Sequence, residues 1–195
     1  MGSTALADWE TVAAARLDQL LGMHLKATGD KPGRRWETTQ FNRGLMVILV
    51  GQFQAYCRDL HDCAVRQHVS AAVPGQKQLL QVRLTEGRKL DVGNPRRSAL
   101  GADFGRLGFS LIDRLKAARP DAEADLDDLD TLVNFRNAVS HANETVIAGI
   151  EAGNRIRATK SHFVSNRKTL SRLALTMDQV VANEVSALLG IPVPW

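Results

Sequence analysis

Apolar residues recur at helical spacing along almost the whole chain, and nowhere do they alternate as in a half-buried strand. Residues 36–68 read as one long helix with Leu45, Leu49, Tyr56, Leu60 and Ala64 on its core face. Residues 161–189 read as a second, with Leu170, Leu173, Met177, Val180, Val181, Val185 and Leu188 turned inward. Shorter helices are expected over 8–25 (Val12, Leu17, Leu20, Leu21 and Leu25 as the stripe), 78–90 and 98–118. The last should kink between Gly101 and Gly108 and stop before Pro120. Turn-rich segments at 27–34, 71–75 and 91–95 separate them. The tail after Gly190 cannot be helical, and Trp195 is expected to pack back. Gly44 and Gly51, inside the long helix, suggest a close helix neighbour. The chain has 195 residues, 44% of them apolar, so the expectation is one all-α domain, a bundle of five to seven helices.

One further helix, at about 124–141, carries the polar residues that stand out. Leu126, Leu129 and Val133 set an apolar stripe, and Arg136 falls on it. An arginine is almost never fully buried unless it is paired. Arg136, Asn137, Ser140 and His141 share one patch of that helix, and each can act on a phosphate. The acids crowding the helix start, Asp121 to Asp130, read as charge complementing the positive helix end. Residues 142–160 read as a loop.

The string Arg136-Asn137-Ala138-Val139-Ser140-His141 resembles the Arg-Asn-x-x-x-His form of the Arg-x(4–6)-His motif of HEPN domains, and residues 42–60 are similar to their first long core helix. The resemblance runs from Arg35 to Leu189. It implies a HEPN-like bundle and a metal-independent endoribonuclease, a toxin or antiphage effector whose product ends in a 2′,3′-cyclic phosphate. His141 would move the proton of the ribose 2′-OH or of the leaving 5′-oxygen; free histidine titrates near 6.5. Arg136 would stabilise charge on the phosphorane, and Asn137 would fix the histidine or a phosphate oxygen. The resemblance further implies a homodimer in which both motif copies line one cleft, and leaves room for an antitoxin protein as partner. On a single straight helix Arg136 and His141 diverge by about 140°, which makes a composite site easier to arrange. Two departures stand out. Ala142 and Asn143 follow His141, where nucleotidyltransferase-paired toxins carry a tyrosine two residues on. Gln54 follows Phe53, where relatives carry an acid.

From Ala152 to Met177 there is no acid, while Arg155, Arg157, Lys160, Arg167, Lys168 and Arg172 occur. Two readings stay open: a groove for an RNA backbone, or a solvated face pairing with acids such as those at 121–130. A net charge of +4 and a pI near 9.4 are compatible with RNA as partner. With little aromatic interleaving, base-specific readout is not indicated. Cys57, His61 and Cys63 lack metal-ligand spacing, and no metal or cofactor is expected. His24, His68 and His162 read as surface residues. Two reduced cysteines, no visible secretion signal and no apolar run long enough for a bilayer suggest a cytoplasmic protein with no membrane role. Against the nuclease stand a non-catalytic RNA-binding or protein-interaction module of the same fold, and a dimerisation domain with Arg136 and His141 buried in its interface.

Overall fold

The computed structural model describes residues 2–28, 36–153 and 156–195, and among them every regular element is helical. Helix α1 (Thr4–Asp8) passes through a π-helical turn (Trp9–Ala13) into α2 (Ala14–Thr28). Then come α3 (Trp36–Ala71), α4 (Lys77–Thr85), the single turn α5 (Lys89–Val92), α6 (Arg97–Gly105) and α7 (Leu111–Ala118). The chain finishes with α8 (Ala122–Ser140), α9 (Glu144–Ala152) and α10 (Lys160–Leu189). No helix among the described residues is long and apolar enough to cross a membrane.

The three longest helices, α3, α8 and α10, pack on one another, and the others lean against that frame. Phe53 of α3, Phe104 of α6, Phe135 of α8 and Phe163 of α10 are fully buried between them. Truncating any one to alanine removes a large apolar payload and leaves a cavity, at a cost of about 3–5 kcal/mol. Trp9 closes one side, its ring 5.7 Å from Phe53 and its Nε1 donating to Ser171 Oγ at 3.2 Å. Tyr56 of α3 donates to the Ala174 carbonyl of α10 at 2.7 Å, a cross-helix bond inside the core. The Trp195 indole returns to donate to the Asp178 carbonyl at 3.4 Å, as the tail's composition suggested.

Several expectations need correction. The segment read as a loop at 142–160 contains α9. Residues 78–90 are two helices, because Gly87 takes a left-handed φ of +68° and turns the chain between α4 and α5. Residues 98–118 are likewise two, parted by Gly108 at φ +98° with Ser110 capping α7. In the stretch read as one helix over 8–25, Ala13, Leu17 and His24 face inward and Leu20 and Leu21 pack against the core, while Val12 is 45% exposed; His24 is buried against the Phe41 ring at 5.3 Å rather than on the surface. Leu188 is 48% exposed. Neither Gly44 nor Gly51 has a neighbour that a Cβ would meet, so close helix approach does not explain them. The connector expected at 27–34 lies, beyond Thr28, outside the described residues.

The acids at the start of α8 do more than complement a helix dipole. Asp125 is 2% exposed and takes the guanidinium groups of both Arg119 and Arg172. Burial alone would raise its pKa; the hydrogen bonds from Arg172 and Arg119 outweigh that and hold the carboxyl below its usual range. Glu123, Asp127 and Asp130 converge on Arg97 of α6, at 2.6, 2.6 and 3.8 Å. The first half of α8 is an ionic strip that docks α6, α7 and α10.

Candidate active site

α8 stops at Ser140, and His141 is its C-cap, with φ −104° and its N–H bonded to the Asn137 carbonyl at 3.0 Å. Ala142 follows at φ +51°, a left-handed conformation that costs a non-glycine residue about 1–2 kcal/mol. That turn sends the chain back along α8. Asn143 then caps α9, its Oδ1 accepting from Val146 N at 3.1 Å. The capped asparagine followed by Val146, Ile147 and Ile150 at helical spacing was the signal for α9, obscured by Gly149 and Gly153. Two contacts fix α9 in place. Arg43 of α3 grips Glu144 bidentately at 2.7 and 2.8 Å, and Ile147 is buried. The same guanidinium holds the Glu144 carboxyl below its ordinary pKa.

Between the last turns of α8 and α9 lies an open cleft of about 370 Å³. Its polar lining is Asn134, Asn137, His141 and Asn143, and its apolar floor is Ala138, Val146 and Ile150. His141 is exposed at this cleft.

Arg136 is half-buried and points elsewhere. Its Nη1 donates to Asn94 Oδ1 at 2.8 Å and to Asn137 Oδ1 at 3.0 Å, and Asn94 Nδ2 donates to the same Asn137 oxygen at 3.1 Å. Its Nε is buried with no hydrogen-bond partner among the described residues. Asn137 is therefore the joint of the site, touching Arg136 on one side and lining the cleft with His141 on the other. Arg136 is not among the residues that line the cleft with His141.

Asn94 was invisible to sequence reasoning, because its loop meets α8 only through the fold. Gln54 of α3 builds that loop, its Nε2 donating to the Leu90 and Gly93 carbonyls at 2.9 and 2.5 Å. Below it, buried Asp103 accepts from the N–H groups of Lys89 and Leu90 at 3.0 and 2.8 Å. Arg88 bonds Asp62, Asp91 and His61 Nδ1. Burial first, and the Arg88 charge second, lower the His61 pKa. The imidazole is neutral, accepting at Nδ1 and donating from Nε2 to the Asp103 carbonyl at 3.1 Å. Gln54 thus holds the loop whose Asn94 amide receives Arg136.

The other expected binding residues are not gathered here. Ser140 is exposed and off the cleft lining. Arg155 lies outside the described residues. Arg157 and Lys168 are exposed, and Lys160 opens α10; none of them lines the cleft. Arg167 is tied to Asp18 on α2, and Arg172 to Asp125, so those two cations pair with acids inside the fold. Among the described residues, no three His, Cys, Asp or Glu side chains converge as a metal site requires. No family model matches this chain, and neither curated proteins nor solved structures give a match.

Proposed function

We propose that this protein is a metal-independent endoribonuclease of HEPN type, acting in the cytoplasm as a toxin or antiphage effector. The observation that carries the reading is Asn137, whose carboxamide ties the motif arginine to the cleft that the motif histidine lines. In the reaction His141 takes the proton of the ribose 2′-OH, the freed oxygen attacks the adjacent phosphorus, and the 5′-oxygen leaves with a proton. Arg136 stabilises the charge that accumulates on the phosphorane. The product is a 2′,3′-cyclic phosphate and a 5′-hydroxyl. None of these roles calls on a carboxylate-bound metal.

A second copy completes the site in this proposal. His141 lines the cleft and Arg136 does not, and among the described residues the buried Arg136 Nε has no acceptor. Two α8 ends meeting across a two-fold axis would let the arginine of one face the histidine of the other. Mixing inactive Arg136→Ala chains with inactive His141→Ala chains then restores activity. A mixture that stays dead after verified exchange places the site within one chain.

The same divergence favours a second reading, an RNA-binding or protein-interaction module in which Arg136 is an anchor. Incubating the purified chain with total RNA in excess EDTA separates the two. The nuclease yields fragments bearing cyclic-phosphate ends; cleavage that requires Mg²⁺, or no cleavage beside tight binding, rejects it.

A further inference from the structure

The three asparagines of the cleft share a property that follows from their partners. Asn134 Oδ1 accepts from Arg96 Nη2 at 2.6 Å, Asn137 Oδ1 from Arg136 Nη1, and Asn143 Oδ1 from the Val146 N–H. A guanidinium and a backbone N–H donate and cannot accept, so each carboxamide is fixed with its oxygen turned to the protein. Asn137 Oδ1, which also accepts from Asn94 Nδ2, has both lone pairs used, and all three keep an amide N–H₂ to offer the cleft. With His141 beside them, the polar lining is rich in amide donors over an apolar floor of Ala138, Val146 and Ile150. Among the described residues, no lysine, arginine or carboxylate lines it.

We infer that this cleft binds one unstacked nucleobase that presents carbonyl oxygens, uracil or guanine, next to the phosphate being cut. The inference rests on the ribonuclease reading and names the substrate feature that its site selects. A phosphate site would be lined with cations, which bind anions better than amides do. A flat ring over an apolar floor, with acceptors along its edge, matches what the cleft supplies. On one edge guanine offers O6 and N7 and uracil O4, whereas adenine and cytosine carry an exocyclic amine at the corresponding position that would face the asparagine donors. RNA proteins commonly read bases splayed out of a strand in this way. A volume of about 370 Å³ falls at the small end of ligand-sized clefts, suited to one nucleotide. Aromatic stacking, whose absence from the sequence argued against base readout, is replaced here by pinned amides.

The test uses the full chain in EDTA with oligoadenylates carrying a single U, G or C, plain oligoadenylate, and one with an abasic residue. Cleavage beside U or G should exceed that beside A or C by about tenfold or more, the range of a well-made base-edge contact. Asn143→Asp and Asn134→Asp keep an oxygen for Val146 N and Arg96 while replacing the donor by an acceptor. Each should shrink or invert the ratio of rates between bases, even if the added charge slows every substrate alike. Equal cleavage at all four bases, or a preference unmoved by both variants, overturns the inference and leaves the nuclease standing. Binding of the same oligonucleotides to His141→Ala, read by fluorescence anisotropy, covers the reverse case. If no RNA is cut, a U or G preference in binding that Asn143→Asp removes supports the cleft while the nuclease falls. Abasic RNA bound as tightly as the rest would mean that the backbone, and not a base, is held.

Discussion

The two halves of α8 are built from different chemistry. From Glu123 to Asp130 the helix presents carboxylates, met by Arg97, Lys116, Arg119 and Arg172 from three other helices. From Asn134 to His141 it presents amides, one arginine and a histidine, and the partners are the Asn94 carboxamide and the Arg96 guanidinium. Paired charges tie helix to helix, with Asp125 alone of the carboxylates fully inside, which suits a scaffold. Carboxamides pinned through one atom keep another to offer, which suits a site. A single helix thus has a holding end and a presenting end, and substitutions should separate them.

The largest effect is expected at the presenting end. Arg136→Ala should lower kcat/KM for RNA by about a hundredfold to a thousandfold, as for loss of one charge-stabilising donor. Arg136→Lys should recover little, since one ammonium cannot hold Asn94 and Asn137 while also meeting a phosphate. A lysine variant with full activity would reduce the residue to a mere positive charge.

At the holding end, Asp125→Ala should cost about 2–3 kcal/mol in chemical denaturation, less than the full cost of breaking a buried pair because Arg119 and Arg172 are partly exposed and can rehydrate. The pH dependence sharpens the point. The Asp125 pKa is held below its ordinary 3.8 in the folded chain, so its contribution is present above that value and fades as pH falls beneath it. Asp125→Asn should therefore flatten the loss of stability below pH 3.8. An unchanged acid limb would mean that other carboxylates govern it.

A smaller effect is expected where the halves are bridged. Asn94→Ala removes the oxygen that orients Arg136 and should lower kcat about tenfold with KM little changed, as a positioning residue does. Gln54→Ala, which frees the Leu90–Gly93 carbonyls, should act the same way through the loop, and with Asn94→Ala the losses should not add. Additive losses would place Gln54 on a separate route.

The smallest effect belongs to the basic stretch. Replacing Arg167 and Lys168 by glutamine should change the salt slope of RNA binding by less than two contacts' worth, because Arg167 is already neutralised by Asp18. A slope reduced by the two full contacts would restore Arg167 to the RNA surface.

What was legible in the sequence follows the range of the interactions. Helices α3, α8 and α10 show themselves because their apolar residues repeat within the helix, and the Arg136–His141 string lies within a few residues. The Asn94 oxygen meets Arg136 from a loop 42 residues away, and nothing local marks it. His24 was misplaced for a related reason: a histidine is taken as polar until Phe41 is seen against it. Of the partners of the Asp121–Asp130 acids, Arg172 lay in the basic stretch that the sequence offered as their match, whereas Arg97 and Arg119 needed three dimensions. The donor character of the cleft is the least legible feature, because it depends on which atom of each asparagine is already used.

In the proposed reading, cleavage belongs to the presenting end of α8 and stability to its holding end. The direct measurement is the single-turnover rate of RNA cleavage in EDTA, per folded molecule, for His141→Ala and Asp125→Ala beside the unaltered chain. His141→Ala should lose at least about a hundredfold in rate with its unfolding midpoint unmoved, and Asp125→Ala should cut at the normal rate while unfolding earlier. His141→Ala cutting as fast as the unaltered chain, or Asp125→Ala losing cleavage while still folded, would contradict that division.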